Sequence, residues 1–140
     1  MNKKEILEYI SKAKEIRKMA YAPYSKFKVG ALIIFKDGTL ISGANVENAS
    51  YGLTICAERS ALFKMSNEGK NKEDVLALLV IGDTEDVLTP CGACRGVMSE
   101  LLLPNTEIIC ANMKDKYKIF KLKDLIPNSF SGDVLNAKQF

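Results

Sequence analysis

Three of the four cysteines fall in two short stretches, Cys56-Ala57-Glu58 and Pro90-Cys91-Gly92-Ala93-Cys94, with a carboxylate two residues after the first thiol. Thiolates suit soft or borderline metals, and Zn²⁺ takes Cys and His ligands in a tetrahedron. Cys91 and Cys94, three apart on a helix, share one face and can reach one ion. A helix N-terminus also favours the thiolate form. Three cysteines leave a fourth position open, which separates a catalytic zinc site from a closed structural one. Glu58, beside that position, is placed to move protons to and from an activated water. The sequence contains no histidine. His ligands and His-based triads are therefore excluded, and proton transfer at neutral pH falls to Glu, Asp, Cys, Lys or Tyr.

Other readings of the same residues stay open at this level. A lone CxxC also serves redox dithiols, although that would leave Cys56 and Glu58 without a role. Cys110 could close a structural site, but in Ile108-Ile109-Cys110-Ala111 it reads as a buried small hydrophobe. Glu58 could simply complement a helix dipole, and Phe27 could be plain core. The specific signal is the combination: CxE, 31 intervening residues, then PCxxC.

The elements that must position these residues follow from periodicity. Ile6, Ile10, Ala13, Ile16 and Ala20 predict an amphipathic helix over 3–20, with Asn2 and Glu5 as a capping pair. Pro23 breaks it. Phe27, Val29, Ala31, Ile33 and Phe35 alternate as a strand, Asp37-Gly38 turns the chain, and 39–43 reads as the partner strand. The polar stretch 44–52 reads as a loop, a fit place for substrate contacts. Cys56 opens a second helix to about Ser66. Val75 to Ile81 predicts a strand covered on both faces. A third helix follows Pro90 and runs to about Leu103. Glu107 to Ala111 and Tyr117 to Phe120 predict two more strands, and 122–140 a helical turn followed by a loosely ordered end. This order predicts an α/β fold, a three-layer α/β/α sandwich with a mixed, roughly five-stranded sheet, in a single domain over 1–140.

At 140 residues, 47% hydrophobic and 26% charged, the chain has the composition of a soluble globular protein. No apolar run is long enough for a membrane span, and no secretory h-region follows Met1. A cytoplasmic location is expected, where cysteines are more often ligands than bridges. The net charge of +3 is mild and interleaved, which argues against a nucleic-acid partner.

The pattern H-x-E…P-C-x-x-C, with a three-cysteine variant, marks zinc nucleobase deaminases. The stretches Ala22 to Ala31, Asn45-Val46-Glu47-Asn48-Ala49, Cys56-Ala57-Glu58-Arg59 and Pro90 to Arg95 extend the match. Together they resemble the small homotetrameric cytidine deaminases over about residues 5 to 130. The resemblance implies one Zn²⁺ per chain on Cys56, Cys91 and Cys94, with Glu58 as proton shuttle. It implies Asn45 and Glu47 on the ribose hydroxyls, with Val46 between them, Phe27 against the pyrimidine, and the backbone at Ala57 on the base. Phe130 would reach the site of a neighbouring subunit. Arg59 would hydrogen-bond a ligand sulfur and drain charge from the thiolates, Arg95 sharing the task. The expected reaction is hydrolysis of cytidine and deoxycytidine to the uridines and ammonia, in pyrimidine salvage. A deaminase of a cytosine-nucleoside antibiotic shares the motifs, and a non-catalytic zinc protein could use the fold. The chain departs from many relatives at Gly96, where a longer side chain follows the arginine.

Overall fold

The structure, a computed structural model, describes residues 1–135. Helix α1 (Lys3–Arg17) begins at the expected capping box: Asn2 Oδ1 accepts the Glu5 N–H at 2.9 Å, and Glu5 answers on the Asn2 N–H. The helix ends three residues earlier than its apolar spacing suggests. The backbone N–H groups of Lys18, Met19 and Ala20 bond three residues back, a tightened turn that frees Tyr21 to bridge Val46.

Strands β1 (Val29–Phe35), β2 (Leu40–Ala44), β3 (Val75–Gly82), β4 (Glu107–Asn112) and β5 (Tyr117–Lys121) form one mixed sheet in the order β2-β1-β3-β4-β5. Only β3 and β4 pair in parallel. Helices α2 (Ala57–Asn67) and α3 (Gly92–Leu101) cover one face and α1 the other, giving the expected three layers. A short helix, α4 (Leu122–Leu125), follows β5. The expected loose end lies partly in a 3₁₀ turn, Gly132–Leu135, and its last residues, 136–140, lie outside the described residues.

The alternation seen in β1 does not mark a half-buried strand, because all seven of its residues are buried. Val29, Ala31, Ile33 and Phe35 pack toward α2 and α3, while Leu32 and Ile34 pack toward α1. The strand also starts at Val29 rather than Phe27. Lys26 sits at φ +63°, which turns the chain out of the extended direction just before it.

Register places the site. Val29 pairs with Gly82, Gly30 with Ala44, and Gly82 with Asn112. The start of β1 and the carboxyl ends of β2, β3 and β4 therefore share one sheet edge, where open α/β sheets form their binding crevices. The β2–α2 and β3–α3 connections both leave from this edge, so the N-termini of α2 and α3 converge on it. Gly43 lets α2 come close. A Cβ there would sit 2.6 Å from both Ala57 O and Ala61 N. Gly96 shows no such need, since a Cβ there would meet nothing within 4 Å.

Candidate metal centre and nucleoside site

Cys56 is the N-cap of α2 and Cys91 the N-cap of α3. Cys91 Sγ accepts the Cys94 N–H at 3.5 Å, so a sulfur takes the capping role usually filled by Ser or Asp. The sulfurs of Cys56, Cys91 and Cys94 lie within 4.8 Å of one another, the first two 3.9 Å apart. Zn–S bonds of about 2.3 Å in a tetrahedron require sulfurs about 3.8 Å apart. The donor set therefore fits zinc.

Its ionisation agrees. The Cys56 thiol is pulled down to about 5, first because the Cys94 thiol donates to it and also because Arg59 does. The Cys94 thiol is pushed up for the matching reason, reinforced by burial. A dication among the three sulfurs would favour their thiolate forms together. Cys110 stands apart from the cluster in β4, fully buried, with its thiol pushed up to about 12 by burial. Among the described residues no fourth thiol closes the site.

Glu58 lies in the first turn of α2 and is 4% exposed. Burial, aided by the negative charge at Cys56, raises its carboxyl to about 7. A group titrating there can take and return a proton near neutrality. Arg59 Nη2 donates to Cys56 Sγ at 3.4 Å, as the resemblance implies.

Cys56, Glu58 and Cys91 line a pocket of about 260 Å³ whose wall also includes Phe27, Asn45, Glu47 and Ala57. Asn45 is buried; its Oδ1 accepts the Val29 N–H at 2.8 Å and its Nδ2 donates to Phe27 O at 2.9 Å. One amide proton and one lone pair remain for a ligand. The Glu47 carboxylate accepts from the backbone of Tyr24 and Ser25 and from the Ser25 hydroxyl. The hydroxyl foremost, then the Ser25 N–H, holds it below the usual carboxylate range. Phe27 is 39% exposed and so is pocket wall rather than plain core.

Three residues singled out by sequence lie elsewhere. Val46 is half-exposed and lines no part of this pocket, and its backbone N–H and C=O both pair with Ile55. Phe130, 70% exposed, lines no part of this pocket. Arg95 makes no hydrogen bond to a sulfur; its Nε donates to Pro90 O at 2.7 Å and its Nη1 to Leu125 O at 3.0 Å. It ties the segment entering α3 to α4.

Sequence reasoning missed Ser25, Leu88 and Thr89, which also line the pocket. Leu88 was visible as an apolar residue in a polar loop. Its Cδ2 lies 2.7 Å, and the Phe27 ring tip 3.3 Å, from where a Cβ on Gly82 would stand. The glycine leaves room for both side chains to meet over the end of β3.

A three-cysteine cluster at two helix N-termini, with a buried glutamate beside it on an α/β/α sandwich, is the arrangement of the zinc deaminases of nucleobases. The family profile described as the cytidine and deoxycytidylate deaminase zinc-binding region matches residues 3–111. The chain is 46% identical over 127 residues to a cytidine deaminase of Halalkalibacterium halodurans, covering 91% of this chain and 95% of that one. It is 39% identical over 132 residues to one of Sporosarcina psychrophila, covering 94% and 96%. A crystal structure of cytidine deaminase from Burkholderia pseudomallei superposes with a TM-score of 0.85 at 45% identity, covering 93% of this chain and all of that one. The chain belongs to the cytidine deaminase family, whose members are hydrolases.

Proposed function

We propose that the protein hydrolyses cytidine and 2′-deoxycytidine to uridine, 2′-deoxyuridine and ammonia, using one Zn²⁺ held by Cys56, Cys91 and Cys94. The observation that carries this reading is the pocket itself, whose lining brings two thiols of the cluster, Cys56 and Cys91, together with Glu58, Asn45 and Glu47. When bound, zinc supplies the Lewis acidity that activates a water near neutral pH.

The chain's own residues do the rest. Glu58 removes a proton from the water and passes it to N3 of the cytosine ring, which opens C4 to the water oxygen. Glu58 then carries the second proton to the N4 amine as the C4–N4 bond breaks, and ammonia leaves. Phe27 packs on the ring, and the first turn of α2, with the backbone at Ala57, faces the base. Arg59 offsets charge on the thiolates, and Arg95 holds the entry to α3.

Asn45 and Glu47 engage the ribose hydroxyls. The Glu47 carboxylate would repel a phosphate carried on the sugar, so free nucleosides are the preferred substrates. Asn45 and Glu47 in a largely apolar wall, with a buried acid poised near neutrality, have no purpose in a non-catalytic zinc protein, and no feature of the pocket calls for an antibiotic.

The assembly proposed is a homotetramer in which Phe130 completes a neighbouring site. Its support is an aromatic ring 70% exposed here and apolar Val46, Tyr51 and Leu53 exposed beside the pocket. No helix among the described residues is long and apolar enough to cross a membrane. Four free thiols suit a reducing compartment, and we place the enzyme in cytoplasmic pyrimidine salvage, with no nucleic-acid partner.

The test is absorbance-monitored turnover of cytidine, deoxycytidine and cytidine 3′-monophosphate. Both nucleosides should be consumed, with the nucleotide poorer by ~10²-fold in kcat/KM, as expected for two like charges brought together. No turnover of either nucleoside would overturn the reading.

A further inference from the structure

Glu47 and Asn45 do more than line the pocket, for both are bonded to the segment that carries Phe27. Glu47 Oε1 accepts the N–H groups of Tyr24 and Ser25, each at 3.0 Å. Its Oε2 accepts the Ser25 hydroxyl, and the same Ser25 Oγ accepts the Phe27 N–H at 3.0 Å. Asn45 takes the other side: its Nδ2 donates to Phe27 O at 2.9 Å, and its Oδ1 accepts the Val29 N–H. Both backbone polar groups of Phe27 are thus held by side chains at the pocket rather than by the sheet. Between Ser25 and Phe27 stands Lys26 at φ +63°. A residue with a Cβ adopts that conformation only where its neighbours over-determine it.

We infer that Ser25 is a positioning residue that couples the sugar end of the pocket to its base wall, its hydroxyl linking the Glu47 carboxylate to the Phe27 backbone. A hydroxyl has one proton to give and lone pairs to accept with. Spending the proton on Glu47 orients the lone pairs toward the Phe27 N–H. A sugar hydroxyl that engages Oε2 therefore acts on the same relay that holds the ring. Sugar and base binding are then energetically linked through one side chain. Such linkage should show as KM rather than kcat, because the relay touches neither the thiols nor Glu58. The inference rests on the nucleoside reading of the site.

The test is a double-mutant cycle on cytidine kinetics with Ser25→Ala, Glu47→Gln and their combination, plus Ser25→Thr. Ser25→Ala should raise KM about tenfold, the scale of a lost hydrogen bond to a charged group, with kcat within about twofold. In the Glu47→Gln background the same change should cost under about twofold, since the relay is already broken. Ser25→Thr, which keeps the hydroxyl, should recover most of the loss. Zinc content and Tm should match wild type throughout. An equal cost in both backgrounds, a fall in kcat at constant KM, or no effect of Ser25→Ala on an active enzyme would overturn the inference and leave the nucleoside reading intact. A wild-type protein that neither consumes cytidine nor binds uridine in calorimetry would overturn both.

Discussion

Glu58→Gln is expected to lower kcat on cytidine by at least ~10²-fold while the variant keeps its zinc and its fold. The expectation comes from what the side chain is and where it stands. It lies in the first turn of α2, nearly inaccessible, two residues from Cys56, with its carboxyl raised to about 7 chiefly by burial. Gln preserves volume and hydrogen-bonding shape but can neither accept nor release the proton the reaction moves twice. The thiol cluster does not include this side chain, so metal analysis should still find about one zinc per chain. Turnover within a few-fold of wild type would remove Glu58 from the mechanism. Loss of metal together with activity would make it part of the zinc site instead.

The second large effect is expected at a residue that carries no side chain. Gly43→Ala should destabilise the fold by about 3 kcal/mol, the upper end of overpacking costs, and reduce kcat/KM by ~10²-fold in the protein that still folds. A Cβ at this position would stand 2.6 Å from Ala57 O and Ala61 N and 3.1 Å from Ala61 Cα. All three are backbone atoms of α2, so no side-chain rotation relieves the overlap. The helix must move away from β2, and its first turn carries Ala57 and Glu58 with Cys56 as cap. Misplacement by an ångström at reacting groups is enough for such a loss. Urea unfolding and cytidine kinetics on the same preparation check both parts. Wild-type stability and rate would show that α2 does not depend on that contact.

What the sequence reveals and what it hides have different physical origins. Local patterns read directly. The Asn2–Glu5 capping box, the apolar runs of β3 and β4, and the Asp37-Gly38 turn each encode their structure within a few residues, and together they imply the three layers and the mixed sheet. The thiol cluster is legible for a related reason, because each of its cysteines sits at or just inside a helix start and the connections force those starts to one sheet edge. The errors concern groups whose partners are remote in sequence. Arg95 was expected near the sulfurs, yet one of its hydrogen bonds goes to Leu125, thirty residues on, through the packing of α4. Phe27 was expected to begin β1, but side-chain bonds from Ser25 and Asn45, with Lys26 left-handed, take its backbone out of the ladder. Gly43 carried no signal at all, since close approach depends on which helix crosses the strand.

Whether a Cys56/Cys91/Cys94 zinc site drives the hydrolysis of cytidine is measured most directly by following metal content and cytidine turnover together while zinc is stripped with phenanthroline and then returned. Both should fall in parallel, and both should recover as one equivalent of Zn²⁺ per chain is restored. Full turnover by the stripped protein, or full metal with no turnover, would contradict that role for the site.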